Sequence, residues 1–139
     1  MRLRLVVALA ALVLFVGADQ KEDPDVTLLL QQIKGQENRP AGEVFKNVQL
    51  LKNVPAGRFL RIMDNGYSRA LGVGCDHCHS EDRWEADEKR PKLAAREMIR
   101  MVEEINTKLE SMEHIDTTEP QINCTTCHRG YVKPATQMR

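Results

Sequence analysis

Aromatic side chains are scarce in this sequence: one Trp, two Tyr and three Phe among 139 residues. That is thin material for a core built from side chains alone. Charge of one sign is also missing, because 20 basic residues meet 20 acidic ones. Without a basic surplus there is no footprint for nucleic acid. Cysteine is absent outside two short stretches, so no thiol is left for a structural disulfide or a lipid anchor. Past residue 16 there is no long apolar run.

The two cysteine stretches are Cys75-Asp76-His77-Cys78-His79 and Cys124-Thr125-Thr126-Cys127-His128. Both read C-x-x-C-H, the attachment signature of a covalent c-type haem. Two thiols on one backbone turn can each add to a vinyl group of one porphyrin. The next residue, His79 or His128, then offers an imidazole nitrogen to the iron from one face. The alternatives for bare C-x-x-C pairs are a four-cysteine zinc site or a dithiol redox pair. Only four histidines occur in the chain, and two of them directly follow the pairs, which favours haem. Two porphyrins would supply the apolar bulk that the aromatics do not, and so help a small chain to stay folded.

Met1–Ala18 reads as a secretory leader. Arg2 and Arg4 form its positive start, Leu5–Val16 is an apolar run of twelve, and Val16-Gly17-Ala18 suits cleavage after Ala18. The run is shorter than the ~20 residues of a spanning helix. An uncleaved anchor, with a membrane-associated protein, is the alternative. Cleavage would leave 18 basic against 20 acidic residues, a net charge of −2. Export agrees with the motifs, because c-type haem is attached outside the bacterial cytoplasm.

Residues 19–43 read as a polar N-terminal segment and linker. They hold a short helix over Val26–Lys34 that stops at Gly35, with Pro40 and Gly42 as breakers. Val44–Leu51 is a short helix or an extended lead-in. Pro55 suits the first turn of a helix carrying Phe59, Leu60, Ile62 and Met63. Arg58, Arg61 and Arg69 are expected toward solvent, and Gly66 interrupts the pattern. Met63 lies twelve residues before Cys75. It is a core residue or the thioether ligand that low-spin cytochrome iron commonly takes, and the motif directly downstream favours ligation. Trp84 covers a haem edge or closes a loop.

Pro91 opens a long helix to about Met112, roughly 33 Å by its length. Asp87 and Glu88 precede it, where negative charge suits a helix start. Ala94, Met98, Met101, Ile105 and Met112 track one face, bordered by Val102 and Leu109. Periodicity does not choose between Met98 and Met101. Arg129 and Lys133 are candidates for a propionate partner or for plain surface charge. His77 is expected to be exposed.

Several stretches carry a family resemblance. They are Leu71-Gly72-Val73-Gly74-Cys75, Trp84-Glu85-Ala86-Asp87-Glu88-Lys89, Pro91-Lys92, Ala95-Arg96-Glu97-Met98, Glu104-Ile105-Asn106-Thr107 and Cys124-Thr125-Thr126-Cys127-His128-Arg129-Gly130. From Val44 to about Pro134 the chain resembles the photosynthetic reaction centre cytochrome c subunit family. The resemblance implies units of a Met-bearing helix, a turn and a C-x-x-C-H helix. Met63 would then ligate the first iron and Met98 the second, leaving Met101 to the core; His114 is the alternative to Met98. The chain resembles the N-terminal half of four-haem members. It lacks their lipid-bearing cysteine and a later-serving His on the long helix, where Met112 stands.

The expectation is an all-α, small multihaem cytochrome c with substantial loop. It comprises a leader at 1–18, a dihaem domain at 44–134 and a tail at 135–139. The cofactors are two covalently attached c-type haems with their iron. Cys75, Cys78, Cys124 and Cys127 hold the rings, and His79, Met63, His128 and Met98 bind the metal. The role implied is periplasmic electron transfer with redox partner proteins, a membrane-bound complex among the candidates. No nucleic acid and no small-molecule substrate is expected. The competing class is an enzyme such as a dihaem peroxidase, which needs an open iron position and an acid–base group.

Overall fold

The computed structural model describes residues 22–137, and every regular element among them is helical. The expected leader at 1–18 lies outside the described residues. Helix α1 spans Pro24–Gln32, started by Asp23, whose carboxylate accepts from the Asp25 amide at 2.9 Å. Pro24 fits the first turn, where its missing N–H costs nothing. The chain leaves α1 through Gly35 at φ 85°, a left-handed conformation natural to glycine. A short α2, Ala41–Val44, follows.

Helix α3 spans Ala56–Arg61. It does not stop at Gly66. The chain continues as a wider π-helical segment, Ile62–Ser68, and closes with α4, Arg69–Leu71. Glycine's weak helix preference is overridden here by packing on both sides of the segment. In this widened coil residues five apart come into line, and Asp64 meets Arg69. Asp64 is buried, and its carboxylate takes Arg69 Nε at 3.2 Å and Nη2 at 3.1 Å. Arg69 was expected toward solvent; it is instead partly covered and tied to Asp64.

The stretch read as a polar segment and linker contributes to the core. Val26 of α1 and Ile33 just after it pack with Ala56 and Leu60 of α3, flanked by Leu29, Leu30, Val44 and Phe45. The rings of Phe45 and Phe59 stack at 5.6 Å.

Helix α5 spans Arg90–Glu110, close to the expected limits, with Pro91 in its first turn. Its face differs from expectation. Lys92, Ala95, Arg96, Ile99, Val102, Asn106 and Leu109 are partly covered, whereas Ala94, Met98, Met101 and Met112 are exposed. Charged residues occupy the inner side because a loop offers them carbonyls and a carboxylate. Asp87 and Glu88 do not serve as caps. Asp87 pairs with Arg96 at 2.9 Å and Lys92 at 3.4 Å, and Glu88 with Arg83 at 2.7 Å. Asn106 holds the backbone of Ile122 at both ends, donating to its carbonyl at 3.1 Å and accepting from its amide at 2.7 Å.

Helix α6, Cys124–His128, is started by Asn123 in a reciprocal cap with Thr126. It packs against α4. Behind it the Gly130 amide donates to the Ala70 carbonyl at 2.8 Å.

Candidate functional site

A cavity of about 550 Å³ opens between α1, α3, the π segment, the first cysteine motif and α5. Its size is that of a cofactor site, and its walls are mostly apolar. Met63, Cys75, Cys78 and His79 all line it. Phe59, Leu60, Leu71, Val73, Trp84 and Ile99 complete much of the wall. Val44, Phe45, Val48, Leu50 and Leu51 close another side as a largely non-helical stretch.

The first motif forms a tight 3₁₀ turn over Cys75–His77. Before it Gly72 adopts φ 69°, which lets the chain reverse after α4. His79 Nδ1 stands 2.8 Å from the Trp84 carbonyl oxygen. A carbonyl only accepts, so Nδ1 carries the proton and Nε2 keeps its lone pair for a metal. Burial holds the His79 pKa below its ordinary value, helped by Lys92, Arg96 and Lys89 and opposed by the Trp84 hydrogen bond. The neutral, ligating form is thereby favoured. The Trp84 ring lies 5.4 Å from His79, centroid to centroid, and lines the cavity. Trp84 therefore both walls the site and closes its loop.

The second motif repeats the histidine arrangement. His128 Nδ1 stands 3.0 Å from the Tyr131 carbonyl, so the same tautomer follows. Cys124 is partly covered, Cys127 exposed and His128 partly covered. These residues and Met98 do not line the first cavity. Met98 is 45% exposed on α5, with Met101 at 41%. Tyr131 and Val132 are also exposed, at 58% and 49%. His114 is exposed, as are Arg129 and Lys133, while His77, expected to be exposed, is partly covered.

The chemistry of the donors fits haem better than the alternatives. Burial pushes the Cys75 thiol up to about 11, with Asp23 and Asp25 adding to it, and also raises Cys78 and Cys124. A redox dithiol wants the opposite shift. A zinc site needs its four sulfurs together. Among the described residues, the one group of three or more His, Cys, Asp or Glu side chains whose ligand atoms lie within 4.8 Å of each other is Asp23, Asp25 and Cys75. An apolar cavity lined by two thiols, an oriented imidazole and a thioether suits a porphyrin iron.

Tyr67 carries a role that periodicity did not reveal. It lines the cavity from the π segment, and its hydroxyl pKa is raised first by burial and then by Cys124, Cys78 and Glu103. It therefore lies within electrostatic reach of both motifs. The signal in the sequence was only its place on the turn after Met63.

A family profile described as photosynthetic reaction centre cytochrome C subunit matches residues 16–138. The chain is 35% identical over 85 residues to cytochrome c-554 of Chloroflexus aurantiacus, which covers 60% of this chain and 20% of that protein. It is 34% identical over 95 residues to the photosynthetic reaction center cytochrome c subunit of Thermochromatium tepidum, covering 68% and 22%. The corresponding subunit of Roseobacter denitrificans matches at 34% over 100 residues, covering 68% and 26%. The chain thus spans no more than about a quarter of the length of these relatives.

Proposed function

The chain belongs to the photosynthetic reaction centre cytochrome c subunit family, and on that premise we propose that it is an exported, periplasmic electron carrier with two covalently attached c-type haems. Cys75 and Cys78 hold the first ring, and Cys124 and Cys127 the second. His79 and Met63 would bind the first iron, and His128 and Met98 the second. A haem held in this way supplies one-electron redox chemistry and makes no bond to a substrate.

The observation that carries this reading is the meeting of Met63, Cys75, Cys78 and His79 on one apolar cavity. The residues of the chain act by orientation and exclusion. The Trp84 and Tyr131 carbonyls hold the two imidazoles in the ligating tautomer. Phe59, Leu60, Trp84 and Ile99 keep water from the first site. At the second site the exposed thioether of Met98 and the apolar surface of Tyr131 and Val132 offer cover for a ring. His/Met ligation at both irons leaves no open position for a peroxidase.

The proposed partners are redox proteins, a membrane-bound complex among the candidates. Among the described residues, no helix is long and apolar enough to cross a membrane. Two relatives are named for a photosynthetic reaction centre; family membership does not by itself assign this chain a photosynthetic host.

A visible absorption spectrum, oxidised then reduced, tests the reading on protein exported from a host with c-haem maturation. Sharp low-spin bands at two haems per chain are expected, with the near-red band of methionine–iron ligation. Met63→Ala removes part of that band and Met98→Ala another part. A colourless protein would end the haem reading.

A further inference from the structure

Lys92 stands in the first turn of α5 with its side chain only 11% exposed. A lysine this covered needs partners. Its ammonium donates to the Trp84 carbonyl at 2.8 Å and to the Ala86 carbonyl at 2.8 Å, and lies 3.4 Å from the Asp87 carboxylate. The Trp84 carbonyl is the same oxygen that receives His79 Nδ1–H at 2.8 Å. A carbonyl has two lone pairs, so both donors fit on one oxygen.

The two hydrogen bonds are not independent. The positive ammonium draws density from the oxygen and makes it a poorer acceptor for the imidazole. A weaker Nδ1–H bond leaves the ring less anionic and less basic at Nε2, so His79 donates less charge to a metal. That favours the reduced form. The charge acts in the same direction through space, because a cation beside a low-dielectric cavity favours the less positive state of its contents. Asp87 opposes it only in part. Its carboxylate is shared with Arg96, 2.9 Å away, which also lines the cavity. Lys92, Arg96 and Asp87 together leave one positive charge at this wall.

We propose that Lys92 is a positioning residue that raises the reduction potential of the first haem by sharing the Trp84 carbonyl with His79. The inference rests on the haem reading of the Cys75–His79 motif given above.

The test is a spectroelectrochemical titration of the purified dihaem protein. In Lys92→Met, the step that Met63→His also moves falls by about tenfold in its reduction equilibrium, about 59 mV for one electron; the other step stays in place. Lys92→Arg keeps the charge and the donors and restores the potential. Asp87→Asn shifts the same step upward. An unmoved midpoint in a fully coloured Lys92→Met protein overturns the proposal, as does an equal fall in Lys92→Arg. If Lys92→Met does not mature, Asp87→Asn decides: a rise supports the role, and no change or a fall refutes it. A wild-type protein without haem absorption would refute the haem reading instead, before Lys92 is tested.

Discussion

Replacing Gly72 by alanine should loosen the second cysteine motif from α4. Gly72 has φ 69°, where an L side chain costs about 1–2 kcal/mol. A Cβ there would also fall 2.2 Å from the Gly130 carbonyl oxygen and 3.0 Å from its carbon. Both are backbone atoms, so no rotamer relieves the clash. Overpacking of this kind costs about 1–3 kcal/mol. Pushing Gly130 away also strains the hydrogen bond its amide donates to the Ala70 carbonyl, 2.8 Å long and worth about 1 kcal/mol. The combined loss is about 3–6 kcal/mol. Gly35→Ala is the internal control, with φ 85° and nothing within 4 Å of the added Cβ, so only the conformational cost remains. Urea unfolding of the two variants, followed by far-ultraviolet circular dichroism, gives the difference directly. If Gly72→Ala costs no more than Gly35→Ala, the close approach of Gly72 and Gly130 is not what docks the second motif onto α4.

Leu60→Ala should lose about 2–4 kcal/mol in the same assay, because Leu60 is 5% exposed among Val26, Ile33 and Ala56; a loss below about 1 kcal/mol would mean that this cluster is not the core. Hydrogen bonds from Arg96 and Asn47 hold the Asp87 carboxyl well below its ordinary 3.8, and Ser80 with Arg83 lowers Glu88. Groups depressed on folding stabilise fully above their unfolded value and lose that contribution progressively as pH falls from there through the folded one. The loop around Trp84 should therefore loosen below about pH 4, read as rising Trp84 fluorescence, and Asp87→Asn should flatten that response. Asn106→Leu removes both bonds to Ile122 and should speed amide exchange at Ile122 while α5 stays protected; unchanged exchange would show that the loop is held otherwise.

Part of the first cavity's lining was legible because contiguous letters flag it: C-x-x-C-H marks Cys75, Cys78 and His79, and Met63 upstream lines the same cavity. Helix α5 was legible because it holds no internal breaker. Its facing was not. Lys92 and Arg96 look like solvated charge in any periodicity count, and only the loop carbonyls and Asp87 turn them inward. The π segment was hidden for a related reason. Gly66 reads as an interruption, but tertiary contacts on both sides carry the coil through it. Asp64 and Arg69 were missed because they are five apart, a spacing that an α-helix would not bring into line. The contribution of α1 to the core was written in the sequence, since Val26, Leu29, Leu30 and Ile33 recur at helical spacing, but the polar residues on either side drew the whole of 19–43 into a linker.

The widened coil over Ile62–Ser68 also makes this stretch tolerant of a change in the count of its residues. Each turn there holds more chain than an α-helical turn. Deleting one residue, such as Asn65, would let the segment relax into ordinary α-helix with α4 still in place. The tighter coil of the shortened segment turns through nearly the same angle as the wider coil of the full one, so α3 would keep its phase relative to α4. Asp64 and Arg69 would then stand four apart, a spacing that an α-helix also brings together. A homologous chain can therefore carry a single gap here and keep both the pair and the packing on either side of it.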